Sequence, residues 1–192
     1  QTPKGLAVYG TSDYAVTDGG GDFTVHRVWG VDTEGMIYRL DGWRGQTAAD
    51  AWVERKIDLM ARWRPRCWFG EGGVIRRSVE PMLIRRMRER NVFCRMEWLN
   101  SGQDKAARAR GFQARASMGL VRFEPGADVA EFLQFPAGRH DDEVDAASLI
   151  GVALDKAHAP AAARKAVAAI DDADPWGGRR RDNNKADSWK TL

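Results

Sequence analysis

The sequence predicts an α/β fold: a mixed sheet of three antiparallel strands followed by alternating helices and parallel strands, with helices on both faces. Three observations carry this reading. The first part is rich in β-branched and aromatic residues broken by short turn-forming stretches, as in strands joined by hairpins. From residue 47 the apolar residues recur at helical spacing instead. Beyond that point helical stretches alternate with short apolar runs, the pattern of a sheet extended by parallel strands.

Taken in order, "LAVYGTSDYAVT" (6–17), "FTVHRVWGVD" (23–32) and "MIYRLDGW" (36–43) form the expected meander, separated by "DGGGD" and "TEG". "TAADAWVERKIDLMARW" (47–63) reads as a helix capped by Thr47 and closed by Pro65 just past its end. "RCWFGEGG" (66–73), apolar up to Gly70, reads as a buried strand. A basic helix, "SVEPMLIRRMRER" (78–90), and a strand, "VFCRMEWL" (92–99), follow. "QDKAARARGFQARASMG" (103–119) is a further helix, "LVRFEP" (120–125) a short strand and "DVAEFLQF" (128–135) a short helix; "GRHDDEVDAASLIGVAL" (138–154) begins the last helix. One domain is expected over residues 1–158, with 159–192, an Ala-rich piece and then closely spaced charges, as a partly disordered tail. There is no internal repeat.

A chain of 192 residues, 43% of them hydrophobic, suffices for one core. Its 30 Lys and Arg against 27 Asp and Glu leave a net charge of +3, too small an excess to name nucleic acid as partner. Cys67 and Cys94 sit in apolar runs and form no C-x-x-C pair, which argues against a disulfide framework or a zinc site and for a reducing cytosol. No stretch approaches the ~18 uninterrupted apolar residues of a membrane span, and the start lacks signal-peptide features, so a soluble protein is expected. The early strand after Gln1 suggests a fragment of something longer.

The chemistry lies in the carboxylates. Asp141, Asp142, Glu143 and Asp145 crowd the start of the last helix. Dipole complementation stabilises by about 0.3–1 kcal/mol per charge and needs one or two acids, not four. Asp13 stands within the first strand pattern, where a charge costs free energy unless paired. Its bland reading is a solvent-facing position on an edge strand. Glu71 ends the strand "CWFGE" before Gly72 and Gly73, well placed for a cleft at a sheet edge, or else as a cap on the next helix. An Asp from a first strand, a Glu from a later strand and one or two Asp from a C-terminal helix suit two-metal hydrolysis of a phosphodiester. Hard divalent ions prefer oxygen ligands, and several carboxylates balance their charge.

This order of elements and acids resembles the ribonuclease H-like (retroviral integrase-like) nucleases. More narrowly, "SDYAVTDGGGDFTVHRVWGVD", "YRLDGWRGQ", "FGEGG", "DKAARARGFQARASMGLVRF" and "FPAGRHDDEVDAAS" resemble the C-terminal nuclease domain of the large terminase subunit of tailed bacteriophages, over roughly residues 5–155. The resemblance implies an endonuclease that cuts concatemeric viral DNA during genome packaging, with two Mg²⁺ or Mn²⁺ ions as cofactors. It makes Asp13, Glu71 and Asp142 the catalytic metal-binding acids. Asp145 matches an extra acid of the related Holliday-junction resolvases. Asp141 competes with Asp142, and helix phase decides between them; Asp142 is favoured. The implied partners are double-stranded DNA and the terminase ATPase domain, with the portal and small terminase subunit as further candidates and no membrane. The implied location is the bacterial host cytoplasm and, transiently, the viral prohead. In one respect the sequence departs from a whole large terminase: no G-x-x-x-x-G-K-[ST] stretch occurs, so P-loop ATP hydrolysis is not expected of this chain.

Among basic residues, Arg85, Arg86, Arg88 and Arg90 spread around a helix, and a solvated face is as good a reading as a DNA track. Lys105, Arg108, Arg110 and Arg115 are the better candidates for DNA contact, the resemblance placing the lysine near the active site. Arg139 and His140, beside the acids, are candidates for the scissile phosphate, although His140 suits a helix cap slightly better. His26 and His158 receive no role, and the eight tryptophans suit core packing better than base stacking. Two other functions stay open: a junction-resolving nuclease of the same fold, and a non-catalytic module that grips DNA or docks on the portal.

Overall fold

In the computed structural model residues 3–15, 23–99, 105–138 and 140–157 are described. Strands β1 (Ala7–Asp13), β2 (Thr24–Val31) and β3 (Ile37–Gly45) form the expected antiparallel meander. Helix α1 (Ala49–Trp63) leads to β4 (Cys67–Glu71), which pairs parallel to β1. Helix α2 (Val74–Glu89) leads to β5 (Arg95–Leu99), parallel to β4. Helix α3 (Lys105–Ser117), the two-residue strand β6 (Val121–Arg122), the short helix α4 (Ala130–Gln134) and helix α5 (Asp142–Ala157) complete the order. The six-stranded sheet runs β5-β4-β1-β2-β3-β6, so it is mixed as expected, with β1 at its centre.

Because side chains alternate across a strand, the sheet separates two cores. On one face Trp29, Phe69 and Leu99 pack with Phe112 of α3 and Leu149 and Ile150 of α5. On the other, Val28 and Trp68 pack with Trp52, Val53 and Ile57 of α1 and Leu83 of α2. Trp29, Trp52 and Trp68 are all buried, as their expected role in core packing requires. Cys67 and Cys94 are free thiols. No helix among the described residues is long and apolar enough to cross a membrane.

Several local expectations needed correction. Helix α1 starts at Ala49 with Ala48, not Thr47, at its N-cap, and no side chain caps it. The extended backbone of Ala48 ends the preceding segment one residue later than the Thr signal suggests. Helix α2 begins at Val74, four residues earlier than expected, and carries Pro81 inside it. Gly73, at φ 125°, makes the turn out of β4 directly, so the helix starts there rather than near the proline. The expected continuation of β1 through residues 16 and 17, the "DGGGD" turn and the tail 159–192 lie outside the described residues. The elements above belong to one unit, Gln1–Ala157.

Candidate metal and nucleic-acid site

Asp13 and Glu71 end neighbouring strands. In the parallel pairing of β1 with β4, Ser12 stands opposite Gly70, so the next residues are Asp13 and Glu71. Alternation gives their faces. Asp13 follows Tyr9 and Thr11, and Glu71 follows Cys67 and Phe69. Tyr9, Cys67 and Phe69 pack in the core under α3 and α5, and Thr11 accepts a hydrogen bond from Trp29 Nε1 at 2.8 Å in that core. Both acids therefore lie on the face that α5 covers, at the carboxyl ends of two parallel strands. Ligand sites in α/β sheets gather at such strand ends. Asp13 is on a central strand rather than an edge, and Glu71 faces Arg108 of α3. Gly72 holds the end of β4 in place by donating its N–H to Leu99 O at 2.7 Å.

Helix α5 packs across β1, β2 and β4 and brings its acidic first turn to the same face. Asp142, Glu143 and Asp145 are 6%, 6% and 7% exposed, too buried for acids that merely decorate a helix end. Asp141 precedes the helix, half-buried, and its carbonyl accepts from Asp145 N at 2.9 Å. Helix phase thus puts Asp142 and Asp145 in the buried turn, with Asp141 before it. The first-turn amide of Glu143 is satisfied from outside, by the Glu131 carboxylate of α4 at 3.0 Å. Glu143 itself is held by Arg27 of β2, whose Nε donates to it at 2.8 Å.

Cations face Glu71 and Asp142. Arg108 of α3, 8% exposed, places Nη1 3.3 Å from Glu71 Oε1. Arg44 of β3 places Nη2 3.5 Å from Asp142 Oδ2 and Nη1 2.5 Å from Glu131 Oε1, with its guanidinium 4.0 Å from the centroid of the Phe23 ring. His140 stands at the same place, its Nδ1 4.0 Å from Asp142 Oδ2 and its ring edge-on to Phe23. Arg115 lies elsewhere. It pairs with Asp155 at 2.9 Å, thirteen residues along α5 from Asp142, about 20 Å at the helical rise. Lys105 opens α3, and Arg110 lies along the same helix. The Lys105 side chain and Arg139 lie outside the described residues.

The sequence did not point to Arg44, Arg27 or Glu131. Arg44 ends a strand in a stretch, "RGQ", with no signal of a carboxylate partner, and only the register of β3 beside β2 brings it to α5. Arg86 and Arg90 prove to be structural: they bind Glu54 at 2.5 and 3.2 Å, tying α2 to α1.

Beneath Asp13, on the opposite face of the sheet, lies a buried polar network. Trp68 Nε1 donates to Ser12 Oγ at 2.7 Å, and Ser12 Oγ lies 2.7 Å from His26 Nδ1. His26 Nε2 is 3.0 Å from Trp52 O, which can only accept, so Nε2 carries the proton and Nδ1 accepts from Ser12. Burial, reinforced by Lys56, holds the His26 pKa well below its usual value, in keeping with that neutral ring. Lys56, fully buried, donates to Tyr14 Oη at 2.6 Å.

Asp13, Glu71, Asp142 and Asp145 offer only carboxylate oxygen, the donor type of hard divalent cations. In donor chemistry and placement the set fits such ions. Among the described residues, however, no three acidic, His or Cys side chains form a ready metal nest. Glu71 and Asp142 face arginines instead.

No family model and no curated protein matches the sequence. Solved structures do. The large terminase nuclease of thermophilic phage G20c, with bound zinc, superposes with a TM-score of 0.55 at 16% identity, covering 75% of this chain and 79% of that one. The large terminase of another thermophilic bacteriophage gives a TM-score of 0.55 at 11% identity, covering 78% of this chain but 39% of that one. The chain thus spans well under half of that terminase. A lower likeness is to Thermus thermophilus RuvC, with a TM-score of 0.48 at 15% identity over 74% of this chain and 89% of that one. The two terminase likenesses show the fold, the ribonuclease H-like mixed sheet expected from the sequence.

Proposed function

We propose that this chain is a divalent-metal-dependent DNA endonuclease which cuts concatemeric viral DNA during genome packaging. One observation carries the reading: Asp13 and Glu71, at adjacent parallel strand ends, face the helix that buries Asp142 and Asp145 in its first turn. Four carboxylates on one face repel one another, an arrangement that costs stability unless cations enter it. When bound, two Mg²⁺ or Mn²⁺ ions would supply an activated water and charge neutralisation at the leaving oxygen. Asp13, Glu71 and Asp142 would hold them, with Asp145 completing the set and Asp141 as the competing ligand. Arg44, Arg108 and His140, at the rim of the acids, would orient the phosphodiester through its non-bridging oxygens. A module that only gripped DNA would gain nothing from buried carboxylates beside its phosphates.

The substrate and setting rest on likeness to phage large terminases, which favours double-stranded DNA as ligand and a terminase ATPase domain, the portal and the small terminase subunit as partners. A second reading, a junction-resolving nuclease, is favoured by the burial of Asp145 one turn from Asp142. Cleavage of a four-way junction in preference to linear duplex would select it.

Incubation of supercoiled plasmid with the chain and Mn²⁺ or Mg²⁺ is expected to give nicked and linear DNA, and EDTA none. Asp142→Ala and Glu71→Ala should each lower the rate at least about a hundredfold, more than the loss of a residue that merely supports a metal ligand. Plasmid retained by the chain with or without metal, and never cut, would refute the enzyme and leave a binding module.

A further inference from the structure

We propose that Arg44 and Arg108 are latches: each holds one metal-site carboxylate while the metal is absent and passes to a DNA phosphate when metal takes that carboxylate. Metal and DNA would then bind cooperatively. The inference rests on the nuclease reading above and concerns its regulation.

The two arginines flank the acids from different elements. Arg108 reaches Glu71 from α3, and Arg44 reaches Asp142 from the end of β3. A guanidinium offers five N–H donors in a fixed fork, and in both residues that fork is only partly used. The Nε atoms of Arg44 and Arg108 are buried and make no hydrogen bond among the described residues. For Arg108, 8% exposed, this is a buried cation with, among the described residues, a carboxylate neighbour at 3.3 Å and an Nε that makes no hydrogen bond. A phosphodiester brings two non-bridging oxygens that match such a fork bidentately.

Exchange is forced by charge. Arginine does not lose its proton in proteins, so it cannot stand aside as a neutral group. A divalent ion on Glu71 or Asp142 repels the guanidinium within a few ångströms of it, in surroundings where charges act strongly. Arg44 has somewhere to go, since Glu131 at 2.5 Å and the Phe23 ring hold it at the rim when Asp142 is taken. Each released fork then faces the place a phosphate must occupy. By linkage, whatever metal does for DNA affinity, DNA does equally for metal affinity.

The test begins with Mn²⁺ affinity of the 192-residue chain without DNA, read from the electron paramagnetic resonance of free Mn²⁺. Arg108→Gln and Arg44→Gln should each bind Mn²⁺ more tightly, by about fivefold or more, the lower end of typical coupling between sites. An arginine that only supports the fold would leave the affinity unchanged or weaker. Arg44, the more exposed of the two, keeps the test alive if Arg108→Gln does not fold, and circular dichroism checks both variants. Fluorescence anisotropy of a short duplex, with Ca²⁺ or with EDTA, should show metal tightening DNA binding in the parent chain, with that gain reduced in the variants. Asp142→Asn separates the two ideas. If the parent binds Mn²⁺ no better than Asp142→Asn, the nuclease reading fails and the latch with it. If Asp142→Asn loses binding but neither arginine variant gains any, the latch alone is overturned.

Discussion

Lys56 shows most plainly what burial does to a charge in this chain. It is fully buried, with the Tyr14 hydroxyl at 2.6 Å and the rings of Tyr14 and Trp68 each 5.1 Å from Nζ. Burial lowers its pKa from 10.5 to about 7. Between these values the unfolded chain binds a proton that the folded chain does not, so stability rises with pH across that window and the penalty is complete below it. The same burial holds His26 low, so stability also falls as pH drops through 6.5, and raises Tyr14, so stability declines again above about 10. Burial also raises the Cys67 thiol to about 12 and the Cys94 thiol to about 11 from 9.0, so decline sets in above about 9, and urea midpoints should climb from pH 6 to a maximum near pH 9. The Lys56 contribution is on the order of 5 kcal/mol across its window. Lys56→Met should flatten the climb between about pH 7 and 9, and an unchanged slope in that variant would place the titration elsewhere. Nothing in "WVERKIDLM" distinguishes this lysine from the solvated ones around it, because the rings that enclose it come from other elements.

At the scale of elements, β1 matters most, being both the central strand and the carrier of Asp13. Gly10 lets it lie against Trp68: a Cβ there would stand 2.2 Å from the indole. The same indole donates to Ser12, one residue before Asp13. Gly10→Ala should destabilise by about 1–3 kcal/mol, the usual cost of overpacking a core, measurable as a lower urea midpoint with an unchanged slope. The elements and the acids at their ends were legible in the sequence, since turn chemistry, the change of apolar period and carboxylates at strand and helix ends are local signals. What escaped was non-local. Arg27, Arg44 and Glu131 acquire meaning only once β2, β3 and α4 lie beside α5. The start of α2, expected at Ser78, was misplaced because Gly73 turns the chain directly out of β4 into the helix.

The whole molecule divides its work between the two faces of one sheet. Under α1 and α2, His26, Lys56 and Tyr14 are sealed in the core, where burial disfavours their charged forms. Under α3 and α5 the carboxylates of Glu71, Asp142 and Glu143 face Arg108, Arg44 and Arg27 instead. The second face is therefore the one whose stability should respond to divalent ions, because metal bound to the folded chain alone adds RT ln(1 + [L]/Kd) to it. At a Mn²⁺ concentration about a hundred times Kd this amounts to roughly 2.7 kcal/mol, or a rise in Tm of about 5–10 °C for a chain of this size. The shift should disappear in Glu71→Gln and Asp142→Asn but persist in Lys56→Met, which alters only the opposite face. A differential scan showing equal Mn²⁺ stabilisation in all three variants would mean that the ion binds outside the strand ends, and would detach the carboxylates from the chemistry proposed for them.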